Sequence, residues 1–177
     1  MTNKAIFLDR DGTINVDKGY IYKPADLEII PGVVEGLKKV WARYQLIIVT
    51  NQAGIAKGIH TEEDYQNINL ALYNQLLTKG VYISAEYFCP HKTEDNCNCR
   101  KPKTGMLEQA AQDLNLDLGQ SWMIGDKATD ILAGMNSFCK TIHVLTGAEK
   151  VTPVYANFSV KDMVEAIDII LLEDKNK

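Results

Sequence analysis

The chain has 177 residues, 46% of them apolar and 24% charged, an ordinary globular composition with length enough for one domain and a substantial core. No apolar run approaches the ~18 residues of a membrane span, and the N-terminus lacks the basic, apolar and small-residue succession of an export signal, so a soluble cytoplasmic protein with no membrane partner is expected. A net charge of −4 argues against nucleic acid as the partner.

Ala5–Leu8 is a brief apolar run without polar alternation, the pattern of a strand covered on both faces, and it ends in Asp9-Arg10-Asp11-Gly12-Thr13. If the backbone stays extended there, side chains two apart point the same way, and Asp9 and Asp11 face one reacting atom. Gly12, with no Cβ, permits a turn and close approach of a ligand. Carboxylates repel a phosphate dianion, so the pair calls for a cation. Pro31-Gly32 opens a helix over 33–44, with Val33, Val34, Leu37, Val40 and Trp41 at helical spacing. A strand over 46–50 ends in Thr50-Asn51-Gln52-Ala53-Gly54. Thr61, followed by Glu62, Glu63 and Asp64, caps a helix that runs to Lys79-Gly80.

Ala85–Cys89 is the third strand, and at its end begins a cluster of Cys89, His91, Cys97 and Cys99. Three of the four cysteines crowded between 89 and 99 read as metal ligands rather than as a disulfide framework. Three thiols and an imidazole suit tetrahedral Zn²⁺, and four protein ligands leave no open position, so the zinc is structural. The intervening Lys92-Thr93-Glu94-Asp95-Asn96 has no apolar anchor. Ordering such a loop costs on the order of 10–20 kcal/mol of backbone entropy, and structural zinc contributes roughly 10–16 kcal/mol. The ion would thus fix what burial cannot, and aim Arg100 and Lys101. Cys139 reads as a core residue, and His60 and His143 as structural.

Helices over Gly105–Leu114, 128–135 and 161–172 alternate with strands over Trp122–Gly125 and 141–145, and the charged tail 173–177 should fray. With no repeat or linker, the chain reads as one domain over 1–177, the zinc loop (89–99) within it. The alternation predicts an α/β, doubly wound parallel sheet, whose ligands bind at the carboxyl ends of the strands. That rim collects Asp9, Asp11, Thr50, Arg100-Lys101-Pro102-Lys103 and Gly125-Asp126-Lys127-Ala128-Thr129-Asp130. Two unit charges 4 Å apart interact by about 4 kcal/mol at an effective dielectric near 20. Gathering Asp9, Asp11 and Asp126 around a phosphate costs several such terms. A hard cation, Mg²⁺, offsets them, and Lys101 neutralises the phosphoryl oxygens.

This set resembles the haloacid-dehalogenase-like (HAD-like) phosphohydrolases, with their D-x-D-G-T motif, a Ser/Thr after the second strand, a downstream Lys and a G-D-x-x-x-D motif, over nearly the whole chain. The resemblance implies a Rossmannoid fold in which Asp9 is the nucleophile that becomes an aspartyl-phosphate and Asp11 the acid and then base. An ionised Asp9 and a protonated Asp11 require environments that separate their pKa values. It further implies that Thr50 and Lys101 hold the phosphoryl group, and that Asp9, the Asp11 carbonyl and Asp126 bind Mg²⁺. Asp130 is either a supporting carboxylate or a solvated helix residue.

The short segments between these elements leave no room for the family's mobile cap domain. Within the family, Asp17-Lys18-Gly19-Tyr20, Asn51-Gln52-Ala53-Gly54-Ile55-Ala56 and Cys97-Asn98-Cys99-Arg100-Lys101-Pro102 resemble the branch that acts on phosphorylated sugars. That likeness implies substrate contacts from Asp17, Gly19, Tyr20, Asn51, Gln52, Ala53, Arg100 and Lys127. The short stretch between His91 and Cys97 resembles instead the related histidinol-phosphate phosphatase domain. From the residues alone, Asp17 to Tyr20 is equally a polar surface turn. A monomer is expected. A phospho-accepting receiver module is the rival class, and multiple turnover of a phosphate ester would exclude it.

Overall fold

Strict alternation within the first strand commits its side chains to two opposite cores, so helices must cover both faces. The computed structural model describes residues 3–176. Among these, β1 (Ala5–Leu8), β2 (Gln45–Asn51), β3 (Ala85–Cys89), β4 (Trp122–Gly125), β5 (Lys140–Val144) and β6 (Phe158–Val160) form one parallel sheet in the order β3-β2-β1-β4-β5-β6. Ile6 and Leu8 point into one core with Leu46, Ile48 and Ile124; Ala5 and Phe7 point into the other with Ile47, Val49 and Met123. The first core is closed by α1 (Val33–Lys38), α2 (Glu62–Thr78) and α5 (Met163–Lys175), the second by α3 (Gly105–Leu114) and α4 (Ala128–Asn136). The result is the expected doubly wound α/β sandwich, and no described helix is long and apolar enough to cross a membrane.

Local sequence explains where elements start. Thr61 accepts from the Asp64 amide while Asp64 accepts from the Thr61 amide, a reciprocal cap for α2. Asp162 caps α5 through the Glu165 amide, so that helix begins two residues later than its apolar spacing suggests. It also outlasts expectation. The tail through Lys175 is helical rather than frayed, because Asp174 receives Lys4 and Tyr44 and Glu173 receives Lys140; Lys177 lies outside the described residues. Conversely α1 stops at Lys38, and 39–44 continue as irregular turns. Those turns bury Val40 and Tyr44, leave Trp41 exposed and feed the chain into β2. The three-residue β6, too short to show a period, was not expected; it pairs with β5 from Ile142↔Phe158 to Val144↔Val160.

Candidate active site

β2 and β4 flank β1, so strand order runs outward both ways from the middle of the sheet, and the crevice at its carboxyl edge falls there. Register sets the residues beyond it: Leu8 lies beside both Ile48 and Ile124, and the Asp9 amide donates to the Ile124 carbonyl. Asp9, Asp126 and Asp130 are buried at this point with ligand oxygens within 4.8 Å of one another. Lys101 Nζ, buried among them, donates to Asp9 Oδ1 at 2.7 Å and to the Val49 carbonyl at 2.6 Å, and pairs with Asp130 Oδ1 at 2.8 Å. All three of its hydrogens are thereby used. Of the two readings of Asp130, the buried supporting carboxylate holds: it also accepts from the Lys127 amide.

One buried ammonium against three carboxylates leaves negative charge in excess, and Lys127 Nζ, 3.9 Å from Asp126 Oδ2, offsets only part of it. Burial pushes the Asp9 carboxyl up, Lys101 opposing it and Asp130 adding to it; burial and the Asp9 charge push Asp126 up to about 6. Asp126 Oδ1 is buried with no hydrogen-bond partner. An orphaned carboxylate oxygen facing two further carboxylates is a donor set for a hard, oxygen-seeking cation, and these residues fit Mg²⁺.

The Asp11 carboxylate lies outside that cluster. The chain leaves the strand after Leu8, the amides of Thr13, Ile14 and Asn15 all donating to the Arg10 carbonyl, with Gly12 at φ +92°. Asp9 and Asp11 line one cavity of about 50 Å³ with Thr50 and Lys101, brought there by a turn and not by extended alternation. Asp11 Oδ2 takes Arg10 Nη2 at 2.9 Å and Gln52 Nε2 at 3.0 Å, and its Oδ1 takes Asn15 Nδ2 at 2.9 Å. Burial would raise this carboxyl, but the Arg10 guanidinium and those hydrogen bonds outweigh it and hold Asp11 below the usual carboxylate range. The two aspartates are separated as required but with the sign reversed. The reason is where the cations lie: Arg10 is dedicated to Asp11, whereas Asp9 shares Lys101 with Asp130.

The remaining residues expected here fall into three groups. Asn51 donates to the Lys101 carbonyl and accepts from its amide, both at 3.1 Å, fixing the Lys101 backbone; Gln52 Nε2 bridges Asp11 and Thr50 Oγ1. Asp17 accepts from the Gly19 amide and from Lys127 Nζ at 3.2 Å, which ties its loop to the site rim, while the exposed Tyr20 takes Lys57 on its hydroxyl. Ala53 is buried in the turn beside them. Arg100, Lys103 and Lys127 line a cleft of about 500 Å³ next to the small cavity.

Cys89 lies at the end of β3 with His91, Cys97 and Cys99 around it, every ligand atom within 4.8 Å of the others. Four of the six separations run from 3.3 Å (His91 Nδ1 to Cys99 Sγ) to 3.7 Å (Cys89 Sγ to His91 Nδ1). A tetrahedron with Zn–S near 2.3 Å and Zn–N near 2.0 Å sets its ligands about 3.5–3.8 Å apart. The cluster fits zinc, and Arg100 leans on it by donating to the His91 carbonyl.

Two contributors are not legible in the motifs. Arg10, buried and paired with Asp11, is one. The other is the segment after β5: Thr146 Oγ1 donates to the Gly12 carbonyl at 2.7 Å, the Ala148 amide donates to Asp126 Oδ2 at 2.8 Å, and Glu149 accepts from the Ala128 amide at the start of α4. Gly147 lies so close to the Asp126 carboxylate that no Cβ fits between them. The signal was present, since Thr146-Gly147-Ala148 repeats the hydroxyl-plus-small composition of the turn after β2. His143 Nε2 supports the Asp126 carbonyl from below at 3.1 Å, the structural role expected of it.

Comparison with known proteins agrees with this geometry. The HAD-hydrolase-like family model matches residues 98–167. The chain is 43% identical over 171 residues, 96% of it and 98% of the relative, to the D-glycero-β-D-manno-heptose-1,7-bisphosphate 7-phosphatase of Helicobacter pylori. It is 37% identical to the D-glycero-α-D-manno-heptose-1,7-bisphosphate 7-phosphatase of Campylobacter jejuni, covering 98% of this chain and 99% of that one. A crystal structure of D,D-heptose 1,7-bisphosphate phosphatase from B. bronchiseptica, complexed with magnesium and phosphate, matches with a TM-score of 0.87 at 29% identity, over 96% of this chain and 99% of that one.

Proposed function

The chain belongs to the D-glycero-D-manno-heptose-1,7-bisphosphate 7-phosphatase family of HAD-like hydrolases and is a phosphoric monoester hydrolase, and from that premise we propose that it removes the 7-phosphate of the heptose bisphosphate through an aspartyl-phosphate on Asp9. The observation that carries the reading is one small cavity lined by Asp9, Asp11, Thr50 and Lys101 at the strand-order reversal. In the first step an Asp9 oxygen attacks phosphorus, the bond to the sugar oxygen breaks, and that oxygen takes a proton from Asp11, which must gain it from the bound monoester because its carboxyl alone lies below the usual range. In the second, Asp11 takes a proton from water as its oxygen attacks phosphorus, and the Asp9 carboxylate and inorganic phosphate are released. Lys101 neutralises Asp9 until a phosphoryl oxygen competes for its hydrogens, and Thr50, held by Gln52, offers its hydroxyl to another.

Asp9, Asp126 and the Asp11 backbone carbonyl would hold Mg²⁺. The ion supplies positive charge that lowers the Asp9 carboxyl and neutralises phosphoryl oxygens. Zinc on Cys89, His91, Cys97 and Cys99 would fix the loop that presents Arg100 and Lys103, while Asn51 holds the Lys101 backbone. A doubly phosphorylated sugar suits the basic cleft, its second phosphate lying toward Arg100, Lys103 and Lys127, with Asp17, Gly19 and Tyr20 closing its other side. In this reading the protein is one domain, acts as a monomer in the cytoplasm, and serves heptose and lipopolysaccharide precursor synthesis.

The test compares phosphate release from the two anomers of D-glycero-D-manno-heptose 1,7-bisphosphate and from histidinol phosphate, with Mg²⁺, under identical conditions. The reading expects kcat/KM for a heptose bisphosphate to exceed that for histidinol phosphate by about two orders of magnitude, the scale of differential binding of a second charged group. Preference for histidinol phosphate would overturn it.

A further inference from the structure

A half-buried carboxylate at the edge of the first core has no part in the mechanism above. Glu86, on the edge strand β3 opposite Ile48, accepts from Tyr65 Oη and Asn69 Nδ2 on one oxygen and from Tyr73 Oη on the other. Burial first, and then the Glu86 charge, push both phenols upward, so they remain donors. Asn69 passes the arrangement on: its Oδ1 accepts from Arg10 Nη1 at 3.1 Å. Arg10, 1% exposed and 5.4 Å from the Tyr65 ring, turns the remaining edge of its guanidinium to Asp11, with Nη2 at 2.9 Å from Oδ2 and Nε at 3.3 Å from Oδ1.

Donor and acceptor chemistry makes this chain directional. A carboxylate only accepts, so Asn69 must present its NH₂ to Glu86, and its carbonyl oxygen is thereby turned to Arg10, which only donates. Without an acceptor at position 86 the Asn69 NH₂ loses its partner, so the amide is held at its Arg10 end alone and Arg10 loses a fixed acceptor. We propose that Glu86, acting through Asn69 and Arg10, is a positioning residue that sets where the Asp11 carboxylate stands when it exchanges its proton with the leaving oxygen. The inference rests on Asp11 being the acid, as argued above, and extends the site to α2 and β3.

The test separates positioning from mere support of the fold by leaving group. A sugar alkoxide needs a proton to depart; p-nitrophenolate does not. The value of kcat/KM reads only as far as that departure. In Glu86→Leu we expect kcat/KM for heptose 1,7-bisphosphate to fall about 10–100-fold, the scale of a catalytic group displaced by about an ångström. For p-nitrophenyl phosphate the fall should be less than about 3-fold. Glu86→Gln, which keeps an acceptor for Asn69, should restore the wild-type ratio. Asp11→Asn is the reference: if it shows no such split, the acid reading of Asp11 is what fails. If it does, and Glu86→Leu lowers both substrates alike, Glu86 is structural and the proposal is overturned. Should Glu86→Leu not fold, Asn69→Leu breaks the same link and must reproduce the split, its absence being equally fatal.

Discussion

The carboxylate–lysine centre and the thiol loop both gather ionisable groups, yet they are held by opposite means. Asp9, Asp126 and Asp130 extend from strand ends and a helix start whose places are fixed by two apolar cores, Lys101 reaches them from the turn beyond the thiol loop, and all four are almost wholly buried. The loop between His91 and Arg100 is partly to fully exposed and offers little to any core; a three-residue 3₁₀ turn (Thr93–Asp95) and its own hydrogen bonds give it shape. In the first region the fold imposes a costly charge arrangement for the sake of chemistry. In the second, a metal would impose the shape that the fold cannot.

Each variant below either breaks that contrast or sharpens it. Asp9→Asn should have the largest effect, removing at least about 10⁴-fold of kcat on heptose 1,7-bisphosphate, the scale seen when a covalent nucleophile is deleted. Because the substitution also removes a buried negative charge, its unfolding midpoint should match or exceed that of the wild type. Residual turnover within tenfold of normal would remove Asp9 from the nucleophile's role.

Lys101→Met comes next, on stability. The methionine fills much of the volume but leaves Asp9 and Asp130 buried without their cation, and breaking a buried pair in this way costs about 3–5 kcal/mol. Denaturant unfolding without divalent ions measures it, and adding Asp130→Asn should recover part of the loss. A change below about 1 kcal/mol would mean that the centre is more hydrated, and more like the loop, than its burial states.

Gly147→Ala probes the segment that closes over Asp126. A Cβ there overlaps the Asp126 carboxylate, whose Oδ1 is the orphaned oxygen, so that carboxylate must shift. We expect about a 10-fold higher Mg²⁺ requirement in direct titration, the scale of an altered ligand support, with about 1–3 kcal/mol of stability lost to the forced overlap. An unaltered Mg²⁺ midpoint would separate this segment from the metal site.

What could be read beforehand divides along the same line. Motifs carried by strand ends were legible, because apolar runs of fixed period place a strand end and hence Asp9, Thr50 and Asp126 on one rim. The thiol ligands were legible from residue type and crowding alone. What escaped notice depends on three-dimensional reach. Arg10 reads as a spacer between two aspartates until Asn69, on a helix far along the chain, is seen to receive it. The signs of the Asp9 and Asp11 shifts depend on which cation each carboxylate owns, and β6 and the end of α1 on packing rather than period.

Cys97→Ser should have the smallest effect on the chemistry and the clearest on the loop. The hydroxyl of serine is a poor, hard ligand for zinc, so elemental analysis should fall from about one zinc per chain toward none. Arg100 and Lys103 would then lose their fixed presentation, because one leans on the His91 carbonyl and the other on Asn96. KM for the doubly phosphorylated sugar should rise several-fold, since a cationic contact contributes on the order of 1 kcal/mol when it is partly exposed, while kcat stays within about 3-fold. The sheet should keep its thermal midpoint within a few degrees, because no core residue changes, and protease cleavage should appear between 90 and 100 only. A cooperative loss of the whole fold would show instead that zinc supports both regions, and the contrast drawn between them would not stand.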